Sequence, residues 1–283
     1  MFLIFQDFMK SVGALSATVF VFVTLRSVYL LWRRRSDIDH AQNFSNLFIA
    51  LCAHSLRSLI FDGWVLALLA LCYQHRLSTQ ELTSLSDLLP CLLLVDFAYY
   101  VKHRCEHRMN VLWAAHSVHH SSSDFNLTTT GRTPWLRWLY DGLFFAPPVL
   151  LGYHPLAVWL SFQWVLFYQI WIHTQHIGSL GLLDRLINTP ANHRVHHGSQ
   201  ELYQDTNFGG ILMLWDHLFG TYQKEVGPAR FGLTPPLLSA NPFVIQVRAP
   251  LLLLKTLKTA TSWRERWGYL FFRPGWKTPS AGK

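Results

Sequence analysis

Histidine spacing is the feature of this sequence that most directly indicates chemistry. The stretches "AHSVHHS" at 115–121 and "NHRVHHG" at 192–198 share one pattern, a histidine, two other residues and a histidine pair. "DFAYYVKHRCEH" at 96–107 adds two histidines four residues apart, and "IHTQHIG" at 172–178 adds two that are three apart. On helices these spacings bring imidazoles to one face, which predicts metal binding. The ten candidate ligands are His103, His107, His116, His119, His120, His173, His176, His193, His196 and His197.

The number of candidate ligands indicates two metal ions. A single tetrahedral ion takes about four ligands, so ten imidazoles predict two ions with about five nitrogens each. Imidazole suits zinc, copper and iron, and the ligands alone leave the metal open. A redox-active pair that binds O2 could attack an unactivated C–H bond, which zinc could not. The other five histidines are isolated and carry no predicted metal role: His40, His54, His75, His154 and His217.

Neutral imidazole ligands need an acceptor for the ring N–H that does not face the metal. Asp96 precedes His103 by seven residues, two helical turns back on the same face. "DTNFGG" at 205–210 is expected to form a turn beside the third cluster. The candidate polar residues of the site are Asp96, Glu106, Asn126, Asn192, Asp205 and Asn207.

Local signals predict where the helices that carry the clusters begin and end. Asn110 is expected to cap the helix of the second cluster, which ends at the polar run 121–124. Asn188 or Thr189 is expected to cap a short helix that has Pro190 in its first turn and stops at Gly198.

Composition predicts an all-α, multi-pass membrane helical bundle. Apolar residues make up 51% of the chain and charged residues only 14%, whereas soluble domains carry about 25% charged residues. Segments at roughly 11–32, 47–72, 84–101 and 139–172 are apolar, and the last is long enough for two passes that turn at "GYHP", 152–155. A crossing needs about 20 residues, which predicts about 4–5 membrane segments. We expect one domain over residues 1–283 with a histidine-rich catalytic core at about 90–225.

Charge predicts the orientation. The basic run at 33–35 follows the first apolar segment, which favours a retained anchor that ends in the cytoplasm over a cleaved signal peptide. Alternation then places the loop near 74–81 across the membrane and every histidine cluster on the cytoplasmic side of a bacterial inner membrane or the endoplasmic reticulum. The net charge of +8 is spread over short loops, which favours anionic headgroups as partners and argues against nucleic acid.

The histidine motifs resemble those of the fatty acid hydroxylase/sterol desaturase superfamily of membrane di-iron enzymes. The superfamily pattern HxxxH, HxxHH and HxxHH is matched here from His103 to His197. Phrases such as "WAAHSVHHSSSDFNLTT", "QIWIHTQHIG" and "DTNFGGILMLWDHLFGTY" are similar to the alkylglycerol monooxygenase branch, and the similarity spans about 90–277. The resemblance implies two iron ions, O2 as co-substrate and hydroxylation of a lipid next to an ether oxygen, which releases a fatty aldehyde and glycerol.

The electron source must lie outside the chain. The sequence has no GxGxxG nucleotide motif and no cysteine cluster. The resemblance implies tetrahydrobiopterin, and a separate redox protein is the other external electron donor that fits. The branch carries acidic residues after the HxxxH motif and in the "IHT" stretch, where this chain has Arg108 with Met109 and Gln175 with His176.

Other functions fit the same ligands. One alternative is a sterol or carotenoid desaturase or hydroxylase, and another is a bacterial hydroxylase of amino-acid-linked lipids. A metal transporter or storage protein is a remote alternative, because transporters bind ions near the bilayer midplane in broken helices. Here the candidate ligands lie in polar stretches at helix ends.

Overall fold

The computed structural model describes residue 29, residues 39–82 and residues 84–278. Within these residues the secondary structure is helical, apart from an isolated bridge between Ile187 and Leu212, and the all-α prediction is confirmed. Except for residue 29, the first predicted membrane segment and the basic run at 33–35 lie outside the described residues. The predicted anchor therefore stays a prediction.

The first described helical run is long and apolar. Helix α1 (His40–Leu56) starts after Asp39, whose carboxylate accepts from the Gln42 N–H at 3.0 Å. It continues through a π-helical turn (Arg57–Phe61) into α2 (Asp62–Gln74). The whole run of 35 residues is, among the described residues, the one helix long and apolar enough to cross a membrane. It contains the second predicted segment.

Three further helices pack with α2 around the main apolar core. They are α3 (Leu88–Arg108), α5 (Trp138–Leu150) and α6 (Pro155–Tyr168). The pairs α3 with α6, α2 with α5 and α3 with α5 are in contact, and Val95, Phe145 and Phe162 are fully buried between them. Burial of apolar side chains on this scale is the dominant stabilising term of the bundle.

The predicted membrane pair at 139–172 differs from the observed helices in length. The break at 152–155 is where α5 and α6 part, and Gly152 has a φ of 106° that favours glycine. However, α5 and α6 have only 13 and 14 residues, fewer than the about 20 that a straight crossing needs. Many of their apolar side chains pack in the core.

Shorter helices carry the second and third histidine motifs. Helix α4 (Asn110–His120) follows a sharp turn at Met109 and ends at Ser121, as predicted. Asn110 is not its cap, because its side chain donates to the Tyr269 carbonyl at 2.9 Å instead. The remaining helices are α7 (Leu183–Leu186), α8 (Pro190–His196), α9 (Leu214–Leu218), α10 (Pro242–Thr259) and α11 (Trp263–Phe271). Thr189 precedes α8 and Pro190 opens it, as predicted.

Candidate metal centre

Nine of the ten predicted histidine ligands converge in two groups. In each group every histidine offers one ring nitrogen, and these nitrogens lie within 4.8 Å of one another. The first group consists of His103, His107, His116, His120 and His196. The second group consists of His119, His173, His193 and His197.

Each HxxHH motif is divided between the two groups in a complementary way. In α4 the residues four apart, His116 and His120, enter the first group, and His119 enters the second. In the third motif His193 and His197 enter the second group, and His196 enters the first. Adjacent residues of a helix point about 100° apart, so a neighbouring histidine pair reaches both groups. The repeated histidine pair is therefore what two adjacent sites require.

The Nε2 atoms in each group have the spacing of ligands around one cation. His116 Nε2 lies 3.2 Å from Nε2 of both His103 and His120. In the second group, His173 Nε2 lies 2.9 Å from His193 Nε2 and 3.3 Å from His119 Nε2. At a metal–nitrogen distance of about 2.1 Å, two bound nitrogens lie about 3.0 Å apart at a right angle and about 3.4 Å apart at a tetrahedral angle. The observed distances fall close to this range.

Backbone carbonyls fix which nitrogen of three imidazoles faces inward. His103 Nδ1 lies 3.0 Å from the Phe208 carbonyl, and His196 Nδ1 lies 2.9 Å from the Thr206 carbonyl. His173 Nδ1 lies 2.7 Å from the Gln169 carbonyl. A carbonyl only accepts, so Nδ1 carries the proton and Nε2 presents a lone pair to its group.

Unpartnered nitrogens show that the residues fit a bound cation. Nε2 of His107 and Nε2 of His196 are buried in the first group without a hydrogen-bond partner. An unsatisfied acceptor in the interior costs about 1–3 kcal/mol. A cation at the centre of the group would satisfy both nitrogens at once.

Burial keeps the imidazoles neutral. Desolvation, followed by the neighbouring imidazoles, lowers the pKa of seven of the clustered histidines, and burial alone lowers the pKa of His173 to about 4. The pKa values that lie well below the ordinary 6.5 are those of His103, His116, His119, His120, His193, His196 and His197. Since a metal binds the neutral imidazole, these ligands are ready at neutral pH.

A buried charge network supports the first group. Glu106 Oε2 lies 3.4 Å from His116 Nδ1, and Glu106 Oε1 accepts from Lys102 Nζ at 2.7 Å and from the Tyr140 hydroxyl at 2.8 Å. Lys102 Nζ also lies 3.1 Å from Asp141 Oδ1, and Asp141 Oδ2 lies 3.0 Å from Arg137 Nε. Two cations balance two carboxylates, as buried charges require.

Comparison with known proteins agrees with this geometry. The sequence model described as fatty acid hydroxylase matches residues 88–221, a range that contains both histidine groups. Residues 88–221 are therefore similar to the fatty acid hydroxylase family.

Named proteins are similar to part of this chain. An alkylglycerol monooxygenase of Xenopus tropicalis is 38% identical over 182 residues, which are 64% of this chain and 41% of that protein. One of Danio rerio is 43% identical over 143 residues, 50% of this chain and 32% of that protein. An ornithine lipid hydroxylase of Rhizobium tropici is 31% identical over 162 residues, 56% of this chain and 48% of that protein.

The aligned part of this chain spans less than half the length of these relatives. No solved structure matches it.

The "DTNFGG" loop at 205–210 lies beside the clustered histidines but contacts them through its backbone. Asp205 and Asn207 have left-handed φ values of 58° and 56°, a conformation that asparagine and aspartate tolerate. The Thr206 carbonyl of this loop contacts Nδ1 of His196, and the Phe208 carbonyl contacts Nδ1 of His103.

The side chains of the loop have other partners. Asp205 Oδ1 is 3.7 Å from His107 Nδ1, beyond hydrogen-bond reach, and Asp205 Oδ2 is 3.4 Å from Arg108 Nε. Asn207 Nδ2 donates to the Asn192 carbonyl at 3.1 Å and to the Gln223 carbonyl at 2.8 Å. The expectation that these side chains hold imidazoles is corrected, since the backbone does so.

Asp96 also departs from its predicted role. Its carboxylate accepts from the backbone N–H groups of Ile211 and Leu212 at 2.7 and 3.2 Å and from Trp215 Nε1 at 2.9 Å. These bonds tie α3 to the segment that leads into α9, so Asp96 anchors the backbone instead of an imidazole.

The other two predicted asparagines likewise bind backbone. Asn192 Nδ2 donates to the carbonyls of Asp184 and Ile187 at 2.6 and 3.1 Å, which fixes the start of α8. Asn126 caps a 3-10 turn (Leu127–Gly131) by accepting from the Thr128 N–H at 2.8 Å. Their predicted contacts with ligand imidazoles are therefore corrected as well.

His176 lies outside both groups. The segment after α6 is a series of turns and bends, so the spacing of three residues from His173 does not bring the two rings to one face. The His176 side chain is exposed, and its backbone N–H donates to Thr174 Oγ1 at 3.1 Å. The prediction of a tenth ligand is corrected on this ground.

Sequence reasoning missed Lys102, Tyr140 and Asp141 of the charge network. Lys102 and Glu106 are four apart in "KHRCEH", and Arg137 and Asp141 are four apart in "RWLYD". This spacing signals ion pairs on a helix face. That the two pairs meet in the interior depends on the packing of α3 against α5.

Proposed function

We propose that this protein is a membrane-bound, O2-dependent non-heme di-iron monooxygenase that hydroxylates a lipid. The observation that carries the proposal is the pair of adjacent histidine groups within residues 88–221, the range that is similar to the fatty acid hydroxylase family, each group with its Nε2 atoms at ligand spacing. Each group would hold one iron ion. Two bound iron ions supply the O2-dependent oxidation of a C–H bond.

The chain's own residues prepare the ligand field and keep it neutral. Carbonyls of Phe208, Thr206 and Gln169 hold the Nδ1 protons of their histidines, and Glu106 lies beside Nδ1 of His116. Such partners fix ring orientation and raise ligand basicity. All of the clustered histidines except His119 are buried, which limits the access of water to the oxidation.

The proposed substrate is an alkylglycerol or a related single-chain ether lipid, supported by the relatives named alkylglycerol monooxygenase. One oxygen atom of O2 enters the C–H bond next to the ether oxygen, and the other leaves as water. An external donor supplies two electrons and two protons. The resulting hemiacetal breaks to a fatty aldehyde and glycerol. Tetrahydrobiopterin is the proposed donor.

We further propose that the whole chain is one multi-pass membrane domain with its histidine groups on the cytoplasmic face. The candidate span at His40–Gln74 supports membrane insertion, since only 11% of its most apolar window is buried inside the protein. Leu59 and Trp64 on this run are 82% and 51% exposed. Apolar surface of this kind favours lipid as its surroundings.

A second candidate is hydroxylation of an amino-acid-linked lipid, favoured by the ornithine lipid hydroxylase relative. One substrate panel separates the candidates. Iron-loaded protein in lipid nanodiscs is given O2 with an alkylglycerol, an ornithine lipid or a sterol, and with reduced pterin or reduced ferredoxin. We expect aldehyde release with the alkylglycerol and pterin. Turnover of only the ornithine lipid supports the second candidate, and turnover of only the sterol contradicts both.

A further inference from the structure

A cavity of about 200 Å³ lies against both histidine groups. Its lining includes His116 of the first group and His119 and His173 of the second. The same cavity is lined by Ala50, Ala53, His54 and Arg57 of the candidate membrane span. It therefore connects the proposed iron sites with the element that faces lipid.

Arg57 is an unusual residue for an apolar span. A charge at such a position is costly and marks a functional site by default. It opens the π-helical turn of that span, and π-turns occur frequently at functional sites. Its Nη1 donates to Gln163 Oε1 at 2.8 Å, and its Nε, 3.6 Å from Asp62 Oδ2, has no hydrogen-bond partner.

Trp138 lies between two arginines in the cavity wall. The guanidinium carbon of Arg57 is 5.6 Å from the ring centroid, and that of Arg137 is 5.2 Å from it. Cation–π contacts at this range hold both guanidinium groups in place. The indole Nε1 of Trp138, which is 4% exposed, has no hydrogen-bond partner.

The walls thus contain several buried donors that lack an acceptor. They are Arg57 Nε, Arg137 Nη2, Trp138 Nε1 and Gln169 Nε2. Buried polar groups in native proteins nearly always have partners, and a set of unsatisfied donors around one cavity needs an explanation. No carboxylate lines the cavity within the described residues. A bound molecule that brings oxygen acceptors would satisfy these donors.

Charge and size restrict that molecule. Asp141 pairs with Arg137 at 3.0 Å, and Asp62 lies 3.6 Å from Arg57. Both guanidinium charges are therefore balanced, and the cavity offers hydrogen bonds without an excess of positive charge. Its volume of about 200 Å³ is below the roughly 300–1,000 Å³ of pockets for drug-sized ligands. It suits a small neutral headgroup and excludes a sterol ring system.

We infer that this cavity binds the uncharged, oxygen-rich headgroup of the lipid substrate, with Arg57, Trp138 and Gln169 as specificity-determining residues. The inference rests on the proposed function. A glycerol headgroup with its ether oxygen offers the acceptors that the walls lack. The small side chains of Ala50 and Ala53 leave room for the alkyl chain to pass toward lipid.

Equilibrium binding without turnover tests this assignment. Iron-loaded protein in nanodiscs is kept free of O2 and reductant and is titrated with a radiolabelled 1-O-alkylglycerol. Arg57→Gln should weaken binding about tenfold, since a hydrogen bond from a charged donor is lost. Trp138→Phe, which keeps the ring but removes the N–H, should weaken it about threefold. The matched control is Arg76→Gln, because Arg76 also stacks on an aromatic ring, that of Tyr73 at 4.3 Å, but does not line the cavity.

Two further probes check the nature of the headgroup. An alkane of the same chain length should bind equally to all variants. The alkylglycerol phosphate should bind no more tightly than the alkylglycerol, and a tenfold preference for the phosphate overturns the uncharged headgroup. Unchanged alkylglycerol binding in both Arg57→Gln and Trp138→Phe, with iron retained, overturns the cavity assignment and indicates that water satisfies the donors. Such unchanged binding does not contradict the proposed oxidation of a lipid, because the experiment measures no turnover. A wild-type protein that binds the alkylglycerol normally but does not oxidise it contradicts only the proposed function.

Discussion

Glu106 Oε2 lies 3.4 Å from Nδ1 of His116, across the ring from the Nε2 that faces the first group. The carboxylate is itself held by Lys102 and Tyr140 in a buried environment. A carboxylate behind an imidazole ligand fixes the ring and strengthens its donation to a metal. Glu106 directly precedes His107 on α3, but the imidazole beside its carboxylate belongs to His116 on α4.

Replacing Glu106 by glutamine should weaken iron binding in the first group. Losing the carboxylate charge is expected to cost about 10–100-fold in affinity, with the second-group ion retained. Iron content after dialysis against a chelator measures this. Glu201→Gln is the control, because Glu201 is exposed and outside both groups. Full iron retention by Glu106→Gln would show that the Glu106 carboxylate does not strengthen iron binding by His116.

Removing one histidine from either group should cost the protein one metal ion. His119→Ala removes a ligand of the second group and His196→Ala one of the first. Each should lower the iron content from about two ions to about one and abolish lipid oxidation. His176→Ala should keep both ions and full activity, since His176 is exposed and apart. Elemental analysis with an activity assay distinguishes these outcomes. Either ligand variant with full iron and activity would contradict the assignment.

The sequence predicted well which histidines come together, because helix periodicity alone brings His116 and His120, or His193 and His197, to one face. It placed one histidine too many in the cluster, His176, because helix spacing does not hold in a segment that is not helical. The acceptors behind the rings were missed, since the Phe208 and Thr206 carbonyls are backbone atoms that any residue supplies.

The membrane prediction shows a different limit. Apolar composition does not distinguish a helix that faces lipid from one that is buried against other helices. The run 40–74 and the pair α5 and α6 are similarly apolar in sequence, yet Leu59 is 82% exposed while Phe162 is fully buried. The two differ in helix length, which only the structure shows: the run 40–74 has 35 residues, whereas α5 and α6 have 13 and 14.

The stability of the metal-free protein should fall at acidic pH. Burial lowers the pKa of His173 to about 4 from the ordinary 6.5, so folding favours the neutral ring. Its contribution is fully present above pH 6.5 and is lost as the pH falls from 6.5 through 4. At pH 5 His173 alone should reduce the free energy of unfolding by about 2 kcal/mol. Denaturant unfolding of chelator-treated protein at pH 7, 6 and 5 measures this. A flat profile would show that the rings are not buried in the neutral form.

Asp96→Asn should affect stability more than chemistry. The substitution removes the charge that accepts from two backbone N–H groups and from Trp215. We expect the free energy of unfolding to fall by about 1–3 kcal/mol. Iron content and the turnover rate per bound iron should stay near the wild-type values. A drop of more than tenfold in that rate, in protein with full iron, would instead give Asp96 a catalytic role.

The loop after α2 and the histidine groups should lie on opposite sides of the membrane. The cavity beside the groups is lined by residues 50–57 of the candidate span, and the span ends at Gln74. The intervening 17 or more residues rise about 25 Å along the helix, close to the roughly 30 Å of a bilayer core. A cysteine introduced at Gln80 should therefore react with a membrane-impermeant reagent added from outside. A cysteine introduced at Met109 should react only after the membrane is permeabilised. Labelling of both positions from one side would mean that the run 40–74 does not cross the bilayer.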